Sequence, residues 1–194
     1  MLPALSQARE KARQAVCMNN LKQIHLGAMM YAEDYGEWLP TVEVSSPQSF
    51  LYSFLCHLEE TDQWVNYGKL YSLKYLPLGV IFVCPSAPKV TQYGLENPNW
   101  IEKSWRECYY RTLRSSFMFT PHYKLSRIKP TNVMALHRIY YYYNVCESRH
   151  LGMCNVLFIG GDVRPIKEST IISLKPTWPE DWNWTGFLQD LHKQ

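Results

Sequence analysis

Cysteine and histidine are the residue types in this sequence whose side chains could act as nucleophiles, redox groups or metal ligands. The chain contains six of each. The cysteines are Cys17, Cys56, Cys84, Cys108, Cys146 and Cys154. They form no C-x-x-C pair, so their spacing excludes zinc-ribbon and thioredoxin-like motifs. An even number of cysteines is compatible with disulfides in an oxidising compartment.

His150 could serve as the general base for a cysteine nucleophile, either Cys84 or Cys154. The sequence has no strand–turn–helix glycine motif around a cysteine and no evident third member of a triad. We therefore expect His150 to order the connection before the last strand, and His25 to be a half-buried packing residue. We expect no pocket that brings His150 within hydrogen-bond reach of a thiol or a carboxylate. The sequence predicts that the chain is not an enzyme and uses no cofactor.

Clustered acidic residues could bind calcium, a cation that prefers carboxylate ligands. Glu33, Asp34 and Glu37 lie close together at the end of the first predicted helix. The other candidates lie towards the C-terminus: Asp162, Glu180 and Asp181. Neither group has the Asp-x-Asp-x-Asp-Gly spacing of a calcium loop. We interpret the first group as a solvated polar rim and predict no metal site, and the second group remains the alternative.

A long helix is the first element that must position these groups. Apolar residues recur at steps of three and four from Leu5 to Tyr35, and Gly36 is placed to end the helix. Such a helix, about 34 residues long, spans roughly 50 Å. Alanines occupy its apolar stripe in the first half, whereas larger residues such as Leu21 and Ile24 occupy it in the second. Burial can anchor only the second half, so we expect the first half to project from the domain.

Short aromatic and β-branched runs follow the helix and predict strands. The predicted strands lie within residues 79–84, 115–120, 132–137, 139–146 and 154–160, with a further strand after a turn at Gly160. Residues 49–58 predict a short second helix instead. A long helix followed by antiparallel strands predicts an α+β fold. We predict one domain, in which residues 1–36 form a spine helix and residues 37–194 form the head.

Composition places the chain among globular proteins. Its 194 residues are 46% hydrophobic and 19% charged, which is enough for one domain with a core. The net charge of +3, with no long basic block, is too small to predict binding to nucleic acid. No apolar run approaches the ~18 residues of a membrane span, and no signal peptide is evident. The chain as written is expected to be soluble.

Three segments of the sequence resemble a known protein family. Residues 2–40 read LPALSQAREKARQAVCMNNLKQIHLGAMMYAEDYGEWLP. This segment is similar to the one that follows the membrane-embedded half-helix of prepilin-like proteins. These proteins form the type IV pilin and type II secretion pseudopilin superfamily, here in a branch common in planctomycete- and lentisphaera-like bacteria. Residues 75–88 resemble the family's strand ending in Cys-Pro-Ser. Residues 149–166 resemble its C-terminal motif of His, nine residues and Asp-Gly, with His150 as the histidine and Gly160-Gly161 as the pair, so the aspartate is missing.

The resemblance implies a pilin fold, in which a spine helix packs on an antiparallel sheet. It also implies a structural subunit whose missing N-terminal part carries the prepilin-peptidase cleavage site and an inner-membrane anchor, so that Pro3 would be an interior kink of a longer helix. The domain would lie in the periplasm or on the cell surface. Its partners would be other pilin or pseudopilin subunits and the assembly machinery, with the isolated domain monomeric. We expect helix–helix contacts at Leu2, Leu5, Ala8, Ala12 and Val16.

The resemblance also bears on the cysteines, because Cys17 and Cys84 match family positions. A disulfide between them would tie the helix to the sheet, and two buried free thiols are the alternative. Cys146 and Cys154 flank a hairpin-like connection and are a second candidate pair. A different class of function also stays open: an extracellular carbohydrate- or protein-binding domain on a pilin-type anchor. The tyrosines of residues 139–145 would then supply a stacking surface.

Overall fold

The computed structural model describes residues 2–40, 55–58, 62–77, 79–86, 112–115, 117–119, 124–137, 139–140, 145–146 and 150–174. In these residues the chain is α+β, with a long N-terminal helix followed by antiparallel sheets, as the sequence predicts. The helices are α1 (Leu2–Asp34), α2 (Gly68–Ser72) and α3 (Glu168–Leu174). The strands are β1 (Leu55–Leu58), β2 (Gln63–Trp64), β3 (Thr112–Arg114), β4 (Phe117–Phe119), β5 (Val133–His137), β6 (Ile139–Tyr140), β7 (Val145–Cys146), β8 (Met153–Phe158) and β9 (Val163–Lys167).

Helix α1 ends where the sequence predicts. Gly36 adopts a φ of 62°, a left-handed conformation that glycine reaches without steric cost. The Glu37 N–H then donates to the Ala32 carbonyl at 2.7 Å, the six-to-one bond of a Schellman motif. This bond satisfies one of the carbonyls that a helix end leaves without an internal partner.

Helix α1 consists of two segments that differ in burial, as the change in its apolar stripe predicts. In the exposed segment (residues 4–16), Glu10 and Gln14 are half-buried and all other residues are exposed. In the anchored segment (residues 17–34), buried apolar residues recur at helical spacing: Cys17, Leu21, Ile24, Ala28, Tyr31 and Ala32. His25 is half-buried there, as expected. None of the helices in the described ranges has both the length and the hydropathy that crossing a bilayer requires.

A four-stranded antiparallel sheet with strand order β4-β5-β8-β9 supports the anchored segment. Helix α1 packs on β8, on β9 and on a 3₁₀ turn at Gly79–Phe82. Leu157 of β8 and Val163 of β9 belong to the same buried core as Leu21 and Ile24. Strands β1, β2 and β3 form a second sheet, and β6 pairs with β7. The core therefore lies between the helix and the larger sheet.

Three of the predicted elements are wrong or incomplete. Residues 79–84 were expected to form a strand, but Gly79–Phe82 is a 3₁₀ turn. Residues 55–58 end the predicted second helix but form β1, while residues 49–54 lie outside the described residues. The predicted strand at 139–146 is incomplete, because Ile139–Tyr140 and Val145–Cys146 form two strands that pair antiparallel with each other. Short apolar runs carry no period long enough to separate strand, turn and helix, so tertiary pairing decides.

The remaining predicted strands are confirmed by β4, β5, β8 and β9. The turn between β8 and β9 docks on the segment that enters β5. The Gly160 N–H donates to the Pro130 carbonyl and the Ile159 N–H donates to the Asn132 carbonyl, each at 2.8 Å. The α3 helix was not predicted, and residues 175–194 lie outside the described residues.

Candidate functional site

Four buried side chains meet where α1 packs against the sheet: Cys17, Cys84, His137 and His150. One sulfur or imidazole nitrogen from each lies within 4.8 Å of those of the other three. Each of the four residues is at most 1% exposed. Buried thiols and imidazoles are costly unless they find partners, so this group of four, the Cys2His2 cluster, needs an explanation.

Four different parts of the chain deliver these side chains. Cys17 opens the anchored segment of α1, and Cys84 follows the 3₁₀ turn at Gly79–Phe82. His137 is the last residue of β5. His150 begins a tight turn in which it exchanges two backbone hydrogen bonds with Met153, at 3.0 and 3.1 Å.

The turn that holds His150 has a defined backbone conformation. Leu151 and Gly152, its central residues, have φ values of 56° and 79°. Two positive φ values in succession are typical of a type I′ hairpin turn, whose backbone twist matches that of the flanking strands. Leucine is disfavoured in this conformation, so the surrounding pairing must hold it there. The imidazole of His150 is thereby fixed at the entrance to β8.

Each sulfur in the cluster faces an imidazole nitrogen. Cys17 Sγ lies 3.1 Å from His137 Nε2, and Cys84 Sγ lies 3.2 Å from His150 Nε2. The two imidazole rings are 5.3 Å apart between centroids. Phe117 stacks on the His137 ring at 5.4 Å and orients it. His137 Nδ1 has no hydrogen-bond partner among the described residues.

Glu10 forms a second layer around His150. His150 Nδ1 donates to Glu10 Oε1 at 2.7 Å. The Ser86 hydroxyl donates to the same oxygen at 2.6 Å, and Arg13 Nε donates to Glu10 Oε2 at 2.9 Å. Burial disfavours the Glu10 carboxylate, but the hydrogen bonds from Ser86 and Arg13 outweigh it and lower the pKa of the carboxyl. Glu10 is therefore an ionised acceptor that fixes the ring of His150.

The pKa values of the two thiols move in opposite directions. Burial disfavours a thiolate at Cys84, but hydrogen bonds from Cys17 and the histidines outweigh it and lower the pKa of Cys84. The hydrogen bond to Cys84 and then burial raise the pKa of Cys17. Burial opposes protonation of His150, yet its bonds to Cys84 and Glu10 raise the pKa of the imidazole. The interactions within the cluster therefore shift Cys84 towards the thiolate form and His150 towards the protonated form, relative to their ordinary pKa values.

This geometry bears on two predictions about the cysteines and His150. Cys17 and Cys84 are close together but are free cysteines, the alternative to the predicted disulfide. His150 does lie within hydrogen-bond reach of a thiol and of a carboxylate, contrary to our expectation. The fold brings these groups together from distant parts of the chain, which no local motif reveals. Cys84 is only 1% exposed, so its thiol is a buried group in this structure.

The second candidate disulfide is not formed either. Cys154 is a buried thiol in β8, whereas Cys146 lies in β7. Strand β7 pairs with β6, and β8 pairs with β5 and β9. The predicted cross-strand bridge required β7 and β8 to be neighbours, and the sheet topology separates them.

Three of the acidic candidates for calcium have protein partners: Asp34, Glu37 and Asp162. Asp162 pairs with Arg164, whose Nε lies 2.8 Å from Asp162 Oδ2. Tyr75 donates a hydrogen bond to Asp34, and Glu37 lies 3.8 Å from Lys124 Nζ. Glu180 and Asp181 lie outside the described residues.

The family motif His150, Gly160, Gly161 brackets strand β8. His150 enters the strand from the cluster, and Gly161 lies in the turn that leaves it, with a φ of 87°. A Cβ at Gly161 would come within 2.9 Å of the His25 ring. His25 Nε2 in turn lies 2.9 Å from the Ile159 carbonyl oxygen. Both ends of β8 therefore contact α1.

Four of the five residues predicted for helix–helix contacts lie in the exposed segment. Leu5, Ala8, Ala12 and Val16 are exposed, and the side chain of Leu2 is outside the described set. Their role in assembly stays a prediction.

Sequence reasoning missed two members of the site, His137 and Glu10. It considered Cys17 with Cys84 as a possible disulfide, and His150 with Cys84 as a possible base and nucleophile, but it did not consider the three residues as one set. Contacts that span 120 and 140 residues of sequence leave no local spacing to recognise. The available signal was that several family positions carry metal-binding residue types, which could have been considered as one set.

Comparison with protein-family profiles places the chain beside a described family. A protein-family profile described as "Protein of unknown function (DUF1559)" matches residues 6–121, more than half of the 194-residue chain. No significant match was found among curated proteins or among solved structures.

Proposed function

Because the chain belongs to the DUF1559 family, we propose that it is a prepilin-like structural subunit. In this proposal an inner-membrane segment anchors the protein and the domain is extracytoplasmic. Helix α1 assembles the subunits into a pilus- or secretion-type filament. The function is association and not catalysis.

The division of α1 is the observation that carries this proposal. The exposed segment has apolar residues that nothing in the described part of the domain covers: Leu5 and Val16 are each 52% exposed. Ala8 and Ala12 lie beside them on the helix. Small residues let two helix backbones approach closely, and close approach is how helices associate where solvent-driven burial is weak.

Two further points support the proposal. The DUF1559 family is associated with type II secretion and pilin-like proteins of planctomycetes. The α+β architecture with a long N-terminal helix is also the arrangement that a spine helix packed on a sheet requires. In a filament built this way, the exposed segments would pack inside while the sheets face outwards. The isolated domain would then be monomeric, because its main contact surface would lack the preceding helix.

Site-specific photo-crosslinking in the cells that produce the full-length protein tests the proposal. A photoreactive amino acid replaces Val16 in the exposed segment, and a matched variant carries it at Leu26, a 62% exposed apolar residue of the anchored segment. We expect a ladder of crosslinked subunits from position 16 and at most a weak dimer from position 26. Equal ladders from the two positions, or none from position 16, would contradict assembly through the exposed segment.

The alternative of a carbohydrate-binding domain stays a prediction, since the side chains of residues 139–145 lie outside the described set. Binding to immobilised glycans that is lost when those tyrosines are replaced would support it.

A further inference from the structure

We propose that Cys17, Cys84, His137 and His150 bind one structural Zn²⁺ ion in a tetrahedral Cys2His2 site. This inference goes beyond the filament proposal and does not depend on it, because it concerns only the interior of the domain. It also replaces the sequence-based expectation that the protein holds no metal.

The donor atoms fit this ion and this geometry. Two sulfurs and two imidazole nitrogens form the tetrahedral S2N2 set that zinc prefers among the common biological cations. With bonds of ~2.0–2.3 Å to zinc, neighbouring donors of a tetrahedron are ~3.3–3.8 Å apart. The two sulfur–nitrogen contacts are 3.1 and 3.2 Å, and every donor pair is within 4.8 Å. Side-chain shifts of about 1 Å would therefore complete the tetrahedron without moving a strand.

The residues that hydrogen-bond to the proposed ligand His150 also resemble those found around metal sites. His150 presents Nε2 to the cluster while its Nδ1 donates to Glu10 at 2.7 Å. A carboxylate in this position fixes the tautomer and orientation of a ligand histidine. Arg13 and Ser86 hold the carboxylate in turn. Glu10 is thus a positioning residue, which acts on the ion through His150.

The charges of a zinc-loaded site balance. Two thiolates, from Cys17 and Cys84, neutralise the two charges of the ion, and Arg13 neutralises Glu10. An interior with no net charge avoids the large cost of burying an uncompensated ion. All four ligands are at most 1% exposed, so no coordination position opens to solvent. A closed site of this kind is structural and not catalytic.

A disulfide between Cys17 and Cys84 would use the same sulfurs but not the histidines. It would leave two buried imidazoles, His137 and His150, beside disulfide sulfurs, which are weaker hydrogen-bond partners than a thiol or a thiolate. The carboxylate of Glu10, built in behind His150, would also serve no evident purpose. Zinc gives all four residues and Glu10 a role, which favours the metal over the bridge.

The ion would join parts of the chain that are far apart in sequence. It would tie the first buried residue of the anchored segment to the end of β5, to the entrance of β8 and to the segment after the 3₁₀ turn. Bound zinc would therefore fix where α1 leaves the head.

Metal content and thiol state of the whole 194-residue chain test the inference. The chain is purified without chelator, zinc is measured by elemental mass spectrometry, and peptides are mapped for disulfides. We expect about one zinc per chain and no Cys17–Cys84 bridge. Removing the metal should lower the Tm by about 10 °C or more, and adding zinc back should restore it. The metal-free protein with cobalt added should show thiolate-to-cobalt charge transfer and the strong visible bands of a tetrahedral ion.

Variants separate loss of a ligand from loss of a buried thiol. Cys84→Ser and His137→Gln should lose the zinc, whereas Cys154→Ala, which removes a buried thiol of β8 outside the cluster, should keep it. Should the ligand variants fail to fold, the cobalt spectrum of the unmodified protein still decides. Glu10→Gln should retain one zinc per chain with an affinity about 10- to 100-fold lower, measured by competition with a chromophoric chelator.

Three results would overturn the inference. The first is a Cys17–Cys84 disulfide in the metal-free protein as purified. The second is reduced protein that takes up neither zinc nor cobalt, or that takes up cobalt without the tetrahedral thiolate spectrum. Retention of zinc by both ligand variants would place the metal elsewhere and would equally rule out this site.

Discussion

The exposed and anchored segments of α1 belong to one continuous helix yet have opposite relations to the domain. Residues 4–9 are all exposed, whereas Leu21 and Ile24 are fully buried. The helical backbone is the same in both segments, so the difference lies in the side chains that face the sheet. On that face the exposed segment has the half-buried polar residues Glu10 and Gln14, which offer little apolar area to remove from water, while burial of leucine and isoleucine in the anchored segment gives about 1.5–3 kcal/mol each.

Contacts between α1 and the rest of the domain do not end at Cys17, the last buried apolar residue towards the N-terminus. The buried stripe of Leu21 and Cys17 continues towards the N-terminus at helical spacing with two half-buried polar residues, Gln14 and Glu10. Gln14 Nε2 donates to Asn155 Oδ1 at 3.3 Å, and Glu10 accepts from His150 at 2.7 Å. Polar contacts thus extend the anchored face by two turns beyond the last apolar one. The same two turns carry the residues that surround the Cys2His2 cluster.

Truncation of one large apolar residue in each segment should show the largest contrast. Ile24→Ala removes a fully buried side chain and should reduce the free energy of unfolding by about 3 kcal/mol, because a cavity remains. Leu5→Ala removes a side chain that is 52% exposed and should cost less than about 0.5 kcal/mol. Urea unfolding followed by circular dichroism measures both. Similar losses in the two variants would remove the distinction between the segments.

Two glycines in the turns that flank β8, Gly161 and Gly152, test how closely the anchored segment packs on the turn between β8 and β9. Gly161→Ala places a methyl group 2.9 Å from the His25 ring at a φ of 87°, so we expect a loss of about 2 kcal/mol. Gly152→Ala has a φ of 79° but open space, so only the backbone strain of about 1 kcal/mol applies.

The difference in the free energy of unfolding between the two glycine variants measures the steric contact between His25 and the turn between β8 and β9. It should vanish when both variants are made in a His25→Ala background. A difference that persists there would show that the turn does not depend on the anchored segment.

The smallest expected effect on stability comes from a hydrogen bond at the C-terminal end of the anchored segment, and it depends on pH. The hydrogen bond that Tyr75 donates to Asp34 raises the pKa of the Tyr75 phenol to about 12. A raised pKa in the folded state contributes stability that is complete below about pH 10 and is lost as the pH rises towards 12. Difference spectra of the unmodified protein against Tyr75→Phe report this titration. Asp34→Asn should return it to about pH 10, and an unchanged titration in that variant would assign the shift to another cause.

The sequence predicts the helix and the main sheet but not the cluster, for a physical reason. A period of 3.6 sustained from Leu5 to Tyr35, ended by Gly36, leaves few alternatives to a helix. The run at residues 79–84 is too short for a period, and packing against α1 makes part of it a 3₁₀ turn. The cluster depends on β5 and the turn at His150 meeting the helix, and no spacing in the sequence encodes that meeting.

Residue-resolved amide hydrogen exchange along α1 tests the division of this helix most directly. We predict that amides of residues 20–32 are protected to nearly the full free energy of unfolding, because only global unfolding exposes them. Amides of residues 6–9 should exchange through local fraying, with protection rising between Glu10 and Cys17. Uniform protection from residue 6 onwards, or equally fast exchange throughout the helix, would contradict the division into an exposed and an anchored segment.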